Sequence, residues 1–546
     1  MPNESQMLYP ASTVFAIVLF TSIVTVHSLR HASSRYMEPI YGNVFPYHYL
    51  NEATALVFIL ALTIVCGGKA VQRRNINSHK ALDKTLNAAS LLLALSPLSM
   101  NTLFAFSSQW GPLWGPHLTQ ISVLYGTTFL LGISCAISGM QWLISQRKQL
   151  DFIPPMVSLF FSYLTCTTLQ VHLFSRPSCQ AIILNSATLG VSGALLSIVI
   201  LRRKVADAAT ICRNLIPQAV VAMTIIYIFT RSPHCGYNLE REQIVPNTKW
   251  VILDKVESVT GWVEVVEETG RMNMRVMRSG HSLLGGRFRD TGESIFQTFH
   301  LLEAVSVFDR PISDDKSIRA LQIGLGCGIA TNALLSQGID VDVVELDPAV
   351  YHMARDYFDL IPPTSVHLES GRPFLERCNS SLYDFILHDI FTGGSVAPGM
   401  FSKEVLDLVK HCLKDNGILA MNFAGSEQPD LRAGLDMIAT TLNAVFQHVI
   451  CYRDTEDTSV QYTNYMFLAA DFPFHSLKDT KHSFSPKTAH ILSRLDKVSV
   501  DINVNMPHGI ITDSSLDNLK ASGIGAAKEH WEVMRKIIGD EFWLTY

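Results

Sequence analysis

The chain has 546 residues, a net charge of -5, 48% hydrophobic residues and only 17% charged residues. This composition is too apolar for a single soluble protein of this length, and the charge balance gives no indication of a nucleic-acid-binding surface. The cysteines are scattered without C-x-x-C pairs, so the sequence indicates neither a metal site nor a disulfide framework.

The part of the chain before position 231 consists of long apolar runs separated by short polar loops. Crossing a bilayer takes about 20 mostly apolar residues, and each run approaches that length. We therefore predict that residues 1–231 form a multi-pass α-helical membrane domain whose partner is the lipid bilayer. It has about seven transmembrane helices, near 11–29, 53–68, 86–107, 117–140, 152–174, 180–201 and 214–230.

After a boundary near 231–248, charged residues recur every few positions and the hydrophobic pattern alternates. The segments WVILDKVES, GWVEVVEE and RMNMRVMR show the period of two that is typical of β-strands. They predict a small β-domain over residues 249–290. A helix over 293–305 then opens an α/β domain over 291–475, and residues 476–546 form a C-terminal extension.

The segment LQIGLGCGIATNALLSQGIDVDVVELDP, residues 321–348, predicts a strand, a glycine-rich turn, a helix and a second strand. The turn contains Gly324, Gly326 and Gly328. Glycine lets the backbone approach a ligand closely, and the start of the following helix offers unpaired N–H groups. Glu345 ends the second strand, where a carboxylate can accept hydrogen bonds from ribose hydroxyls.

The spacing of these glycines distinguishes between ligand classes. A dinucleotide fingerprint requires glycine at position 329, which is Ile329, and a P-loop requires a Gly-Lys-Ser/Thr sequence that is absent. The compact G-x-G-x-G turn followed by Glu345 and Asp347 instead predicts a site for S-adenosylmethionine or its decarboxylated form. A tight turn with a purely structural role is the alternative interpretation.

Two further strands end in residues that could serve the same site. The third strand leads to Ser370 and Gly371, and the fourth, YDFILH, opens directly into Asp389. Ligands bind at the carboxyl ends of the strands in open α/β sheets, so Asp389 is expected near Glu345. Later strands near 417–422, 447–452 and 464–469 complete a predicted seven-stranded Rossmann-like sheet.

The soluble half resembles the spermidine/spermine synthase family, the polyamine aminopropyltransferases. The resemblance covers approximately residues 250–470 and is carried by VTGWVEVVE, GLGCG, VELDP and YDFILHDIF. It implies that Glu345 holds the cosubstrate ribose and that Asp389 binds or deprotonates the reacting amine. A carboxylate suits this step because a polyamine must lose a proton before its nitrogen attacks the carbon next to a sulfonium.

Several positions depart from the family pattern. Cys327 stands where the family usually has an aspartate that favours a cosubstrate ending in an amine. Thr392 replaces a second aspartate, Phe296 a groove-lining tyrosine, and Ser370 lies where the family has an acid near the adenine. The neutral Cys327 predicts that intact S-adenosylmethionine binds at least as well as the decarboxylated form.

The sequence gives conflicting indications about the side of the membrane that holds the soluble half. Basic residues cluster after the second, fourth and sixth apolar runs, which predicts cytoplasmic loops there and places residues 231–546 outside if the seventh run crosses. The proposed cosubstrates are cytosolic, however, and cysteines without evident pairing suit a reducing compartment. We therefore predict a cytoplasmic catalytic half, with no glycan on the acceptor pattern Asn379-Ser380-Ser381.

The sequence thus predicts a membrane-anchored, spermidine synthase-like transferase that alkylates a small amine or polyamine and needs no metal. A methyltransferase that uses S-adenosylmethionine and a non-catalytic nucleoside sensor are the alternatives, and a homodimer is compatible with the sequence. Asp389 is the predicted catalytic residue. The predicted cosubstrate site consists of Gly324, Gly326, Cys327, Gly328, Glu345, Asp347, Ser370 and Gly371.

Overall fold

The structure is a computed structural model that describes residues 10–67, 78–145, 152–173, 243–244, 248–308, 310–311, 317–392, 395–474, 486–502 and 509–543. The contacts within the chain divide it into a helical unit that ends at Tyr237 and an α/β unit that begins at Asn238.

Among the described residues of the helical unit, three segments are long and apolar enough to cross a membrane, Ala11–Tyr41, Leu50–Gly67 and Ser108–Ile144. The predicted spans near 180–201 and 214–230 lie outside the described residues. The described helices of this unit are α1 Ala11–Tyr41, α2 Leu50–Gly67, α3 Ser78–Ser107, α4 Gly111–Gln120, α5 Gly126–Ser145 and α6 Ile153–Leu173, with a π-helical stretch Ile121–Tyr125 between α4 and α5.

Small hydroxyl side chains on α1 and α6 donate hydrogen bonds to backbone carbonyls of α1. Ser22 donates a hydrogen bond to the Val18 carbonyl within α1, at 2.6 Å, and Ser158 of α6 donates to the Ala16 carbonyl of α1, at 2.7 Å. Short polar side chains at helix contacts let backbones approach and satisfy their own polar groups there, which is the packing expected in an apolar surrounding.

The α/β unit opens with a five-stranded antiparallel sheet in the order β1-β2-β3-β4-β5. Its core includes Val263 and Val265, and Glu264 forms buried ion pairs with Arg278 at 2.6 Å and with Lys255 at 3.3 Å. The strands are β1 Gln243–Ile244, β2 Trp250–Ser258, β3 Gly261–Glu268, β4 Met274–Ser279 and β5 Leu283–Phe288.

The helix predicted over 293–305 begins later than expected. The Ile295 N–H donates to the Gly286 carbonyl at 3.1 Å, and Ser294 forms a β-bridge with Arg287. Because these residues extend the edge of β5, helix α7 spans only Thr298–Glu303 and continues as a 3₁₀ turn over Ala304–Val307.

The larger sheet has seven strands in the order β13-β14-β12-β9-β6-β7-β8, which confirms the predicted seven-stranded fold. Neighbouring strands from β8 to β12 run parallel, and β14 is antiparallel to both β12 and β13. The strands are β6 Arg319–Ile323, β7 Asp340–Glu345, β8 Ser365–Leu368, β9 Tyr383–His388, β12 Leu413–Gly425, β13 His448–Arg453 and β14 Thr463–Ala470, and a hairpin pairs β10 Phe391–Thr392 with β11 Ser395–Val396.

Helices join and cover these strands, and their apolar side chains form two clusters with the two faces of the sheet. They are α8 Ile329–Ser336, α9 Pro348–Tyr357, α10 Gly371–Glu376, α11 Lys403–Cys412, α12 Ala433–Asn443, α13 Pro486–Leu492, α14 Leu516–Ile537 and α15 Asp540–Trp543. Helices α14 and α15 lie in the predicted C-terminal extension, and Phe542 and Trp543 pack on Trp250 of the β-domain.

Asp347 joins the two sheets of the α/β unit. It is fully buried, and its carboxylate accepts four hydrogen bonds: from the Ala349 N–H at 2.9 Å, the Thr260 N–H at 2.9 Å, the Thr260 hydroxyl at 2.6 Å, and the Ser258 hydroxyl. A carboxylate has about four lone-pair sites, so none is left for a ligand. The prediction that Asp347 binds the cosubstrate is therefore corrected, since this side chain caps α9 and holds the turn between β2 and β3.

We expect Asp347→Ala to lower the free energy of unfolding by about 2–3 kcal/mol, because it leaves buried donors without an acceptor. Thermal unfolding of the purified full chain in detergent measures this loss. Asp415→Ala removes an exposed carboxylate and serves as the matched control, with an expected change within about 0.5 kcal/mol. A stable Asp347→Ala protein that has lost nucleoside affinity would contradict this structural role.

Candidate active site

A cavity of about 350 Å³ lies at the carboxyl ends of β6, β7 and β9. Its size falls within the range of small-molecule sites, and these three strands are neighbours in the sheet. The cavity brings together five of the residues predicted from the sequence to bind the cosubstrate and the predicted catalytic residue: Gly324, Gly326, Glu345, Ser370, Gly371 and Asp389.

The glycine turn requires glycine at each of its three positions. Gly324, Gly326 and Gly328 have φ angles of 82°, 54° and 72°, which side-chain-bearing residues rarely adopt. A Cβ at Gly324 would lie 2.0 Å from the Asp389 carbonyl oxygen, and one at Gly326 would lie 2.5 Å from the Leu284 carbonyl oxygen. The turn thus passes directly between the end of β9 and the β-domain.

Glu345 faces the cavity from the end of β7. Its two carboxylate oxygens accept hydrogen bonds from the N–H groups of Leu325 and Asp347, each at 2.8 Å. Burial raises the pKa of Glu345 to about 7, although these two N–H donors act in the opposite direction. Each oxygen keeps a second lone pair, so the carboxylate can still accept hydrogen bonds from two hydroxyls of a ribose.

Ser370 and Gly371 line the same side of the cavity. A Cβ at Gly371 would lie 2.8 Å from a methyl carbon of Ile323 and 2.9 Å from Cε of Met400, so a side chain there would close the space. The neighbouring Glu369 forms an ion pair with Arg377 at 2.6 Å and does not line the cavity.

Cys327 and Gly328 were predicted to contact the cosubstrate, but they do not line the cavity. The buried Cys327 thiol packs against the β-domain, where a Cβ at Gly285 would lie 3.0 Å from its sulfur, and burial raises its pKa. Gly328 takes the N-cap position of α8. Position 327 therefore contributes a neutral side chain that is directed away from the cavity.

Asp389 follows β9 directly and faces the cavity opposite the glycine turn. The side-chain amide of Asn422 donates to its carboxylate at 2.8 Å, and Thr298 donates to the Asn422 carbonyl oxygen at 3.2 Å. Burial raises the pKa of Asp389 to about 6, which the Asn422 amide partly offsets. A carboxylate with a pKa close to neutrality is well suited to accept a proton during catalysis.

Sequence reasoning missed several polar residues that line the cavity, four of which could contact a ligand through a ring, an amide or a carboxylate. Asn422 lies in β12, Asp454 follows β13, Tyr462 precedes β14, and His530 lies in α14. Asp454 follows the end of a predicted strand, so the strand-end rule that located Asp389 could have found it. Tyr462 precedes β14, which is antiparallel to its neighbours, so that rule could not have found it.

The carboxylates in the cavity wall are not balanced by cationic side chains among the described lining residues. Glu345, Asp389 and Asp454 face the cavity, whereas no lysine or arginine occurs among the described residues that line it. A low-dielectric site with only acidic groups favours a cationic ligand. A sulfonium cosubstrate and a protonated amine both fit this requirement.

Comparisons with known proteins agree with this arrangement. The spermine/spermidine synthase domain model matches residues 312–448. An N-terminal histidine N-methyltransferase from Emericella nidulans is 26% identical over 497 residues, which are 84% of this chain and 86% of that protein. A polyamine aminopropyltransferase from Vibrio vulnificus is 36% identical over 113 residues, 20% of this chain and 38% of that protein. The matched part is thus well under two thirds of the bacterial enzyme.

Among solved structures, the spermidine synthase from Thermotoga maritima matches 54% of this chain and 97% of its own, with 17% identity and a TM-score of 0.32. A seven-stranded sheet with a glycine turn and an acid at the next strand end defines the class of Rossmann-like transferases that use S-adenosylmethionine or a derivative. Within that class, residues 312–448 of the chain are similar to the spermine/spermidine synthase domain, and the chain is a transferase, as both matched relatives are.

We expect the affinity for S-adenosylmethionine to fall as the pH drops below 7. Because the folded-state pKa of Glu345 is raised to about 7, the neutral carboxyl prevails below this pH and the carboxylate above it. Ribose hydroxyls and a sulfonium favour the carboxylate, so the dissociation constant should rise roughly tenfold per pH unit below the pKa. Calorimetric titrations of the full chain measure this dependence at pH values between about 6 and 8, spaced about half a unit apart.

The Glu345→Gln protein should bind S-adenosylmethionine more weakly by about 1.5–3 kcal/mol at high pH. Its affinity should also lack the pH-dependent change near neutrality. Asp389→Asn is the matched control, because it also removes a cavity carboxylate but should keep the change in S-adenosylmethionine affinity near neutral pH. An unchanged affinity in Glu345→Gln, or the same pH profile as the unmodified chain, would remove Glu345 from the cosubstrate site.

Proposed function

We propose that this chain is a membrane-anchored N-methyltransferase that transfers the methyl group of S-adenosylmethionine to an N-terminal histidine. The extent of the similarity to the Emericella nidulans enzyme carries this proposal. The aligned 497 residues exceed the length of the α/β unit, so they include helical as well as α/β sequence. The similarity to the aminopropyltransferase covers only 20% of the chain.

The neutral residue at position 327 supports intact S-adenosylmethionine as the donor. In the family this position carries an aspartate that favours a donor ending in an amine. Here Cys327 is neutral and packs against Gly285 outside the cavity. It therefore presents no negative charge that would repel the carboxylate of the intact donor.

The chemistry requires one proton acceptor and good alignment. The lone pair of an imidazole nitrogen attacks the methyl carbon, the carbon–sulfur bond breaks with its electrons moving to sulfur, and a neutral thioether leaves. The imidazole becomes cationic, and the proton on its other nitrogen must then depart. Asp389 would accept a hydrogen bond from that N–H, keep the attacking nitrogen unprotonated, stabilise the developing imidazolium and finally accept its proton.

Aminopropyl transfer to a polyamine is the second candidate. It is supported by the domain match over residues 312–448 and by the identity of 36% to a polyamine aminopropyltransferase. The acidic cavity also suits a polyamine. In aminopropyl transfer the amine attacks the aminopropyl carbon next to the sulfonium instead of the methyl carbon. The two candidates therefore differ in donor and acceptor, while the role of Asp389 is the same.

The proposed acceptor bears on membrane anchoring and sidedness. Helices α1 and α2 and the segment Ser108–Ile144 have the length and apolarity to anchor the enzyme. A newly made chain begins with methionine, so a histidine becomes N-terminal when a leader is removed, as in the secretory pathway. An acceptor of this kind favours a catalytic half in the lumen.

Two cysteines of the soluble half also support a position in the lumen. Cys378 and Cys412 lie side by side, with Cα atoms 5.9 Å apart, a separation that a disulfide can bridge, and such bonds persist in oxidising compartments. This proximity weakens the expectation of unpaired cysteines on which the prediction of a cytoplasmic half partly rested. With the basic loops in the cytoplasm, we propose that residues 231–546 lie in the lumen.

The function is tested with the full chain in microsomes, supplied with a peptide that begins with histidine and with isotopically labelled S-adenosylmethionine. We expect one labelled methyl group on the histidine, and no product when spermidine and the decarboxylated donor replace this pair. The same peptide with an acetylated N-terminus is the matched control for the acceptor. Aminopropyl-labelled spermidine without any methylated peptide would contradict the proposal.

Asp389→Asn should lower turnover by roughly 100-fold or more, because the amide cannot take up the proton, while the affinity for S-adenosylmethionine stays nearly unchanged. Product formation is measured by mass spectrometry and donor affinity by calorimetry. Asp415→Asn, an exposed carboxylate outside the cavity, is the control. Near-normal turnover in Asp389→Asn would exclude this residue from both transfer mechanisms.

The sidedness is tested at Asn379, which lies exposed in an acceptor pattern beside Cys378. Expressed in a eukaryotic secretory membrane, the chain should show a glycosidase-sensitive mass shift that is lost in Asn379→Gln. Asn3→Gln, in the pattern Asn3-Glu4-Ser5 at the opposite end, is the matched control and should keep the shift. A chain without a glycan at Asn379 whose Cys378 and Cys412 both react with a thiol reagent would place the catalytic half in the cytoplasm.

A further inference from the structure

Helix α14, Leu516–Ile537, supplies one wall of the cavity from outside the matched family domain. Four of its residues line the cavity: His530, Val533, Met534 and Ile537. Their spacing of three, one and three positions places them on a single helix face. The wall opposite the nucleoside site is therefore built by a segment that the domain match at 312–448 does not include.

His530 is the polar residue of this face. The residue is buried, with a relative exposure of 6%. The centroid of its ring lies 5.0 Å from that of Phe391 and 5.9 Å from that of Tyr462. Within the described part of the chain, neither ring nitrogen has a hydrogen-bond partner, although both belong to a residue that lines the cavity. Burying an imidazole without partners is costly, so a ligand that supplies one would bind favourably.

The charge state of His530 determines which ligand groups it can receive. Burial lowers its pKa to about 4, so the ring is uncharged at neutral pH and has one N–H and one lone pair. The carboxylates of Asp389 and Asp454 line the same cavity. An uncharged acceptor beside two aromatic rings, in a cavity that two carboxylates also line, suits an ammonium group, which offers N–H donors and a positive charge.

We propose that His530 binds the acceptor substrate by accepting a hydrogen bond from its primary ammonium group, and that α14 thereby selects acceptors with a free amine end. The inference rests on the proposed function in that the free amine is the N-terminus of the acceptor peptide. In this arrangement Asp389 serves the reacting nitrogen, while His530 holds the amine that distinguishes an N-terminal histidine from an internal one.

The test compares His530→Phe with the unmodified full chain. Phenylalanine keeps an aromatic ring between Phe391 and Tyr462 but has no nitrogen, so the KM for the acceptor should rise about tenfold or more. The dissociation constant of S-adenosylmethionine should stay unchanged. His530→Gln retains a hydrogen-bonding side chain and should restore part of the lost affinity, which a purely structural role of the ring would not produce.

His490→Phe, an exposed histidine on α13, is the matched control and should leave both constants unchanged. An unaltered acceptor KM in His530→Phe would overturn this inference while leaving the proposed function standing. If the unmodified chain aminopropylates spermidine instead, the proposed function fails, and a raised spermidine KM in His530→Phe still supports the inference. A chain that alkylates neither acceptor overturns both.

Discussion

The close approach of two backbone segments determines the arrangement of this active site. The glycine turn after β6 passes so near the end of β9 that a Cβ on Gly324 would lie 2.0 Å from the Asp389 carbonyl oxygen. The same turn donates its Leu325 N–H to Glu345 at the end of β7. This glycine-rich turn thus lies between the carboxylates of Glu345 and Asp389, the proposed ribose-binding and proton-accepting groups, and any larger residue at Gly324 would push the turn and the end of β9 apart.

The rest of the site gains its character from charge and burial. Three carboxylates face a cavity with no cationic side chain among its described lining residues, and burial raises the pKa of Glu345 to about 7 and that of Asp389 to about 6. Burial works against the charged forms, so a cationic donor or acceptor stabilises the carboxylates when it binds. A cavity with this lining therefore favours cationic ligands over neutral ones.

Strand-end positions were readable from the sequence, because a parallel sheet brings the carboxyl ends of neighbouring strands together. That rule located Glu345 and Asp389 in one cavity. It failed for Asp347, two residues beyond the strand end, whose carboxylate turns toward Thr260 of the β-domain. It also failed for Cys327, since the direction of its side chain depends on where Gly285 packs.

Long-range contacts were beyond the reach of sequence reasoning. Cys378 and Cys412 are 34 positions apart and carry no spacing signature, and their proximity follows from how α10 and α11 pack beside the sheet. His530 lies in a helix whose cavity-lining residues do repeat with helical spacing, yet this periodicity identifies a face and not the surface that it covers. Only the fold shows that this face lies over Phe391 and Tyr462.

The identity of the donor is the claim on which the account most depends, because it decides between methyl and aminopropyl transfer. Calorimetric titration of the full chain in detergent with intact and with decarboxylated S-adenosylmethionine, under identical conditions, tests it directly. The account predicts that the intact form binds at least as tightly as the decarboxylated form. A strong preference for the decarboxylated form would show that an acid other than the residue at position 327 selects the donor, and would contradict the assignment as a methyltransferase.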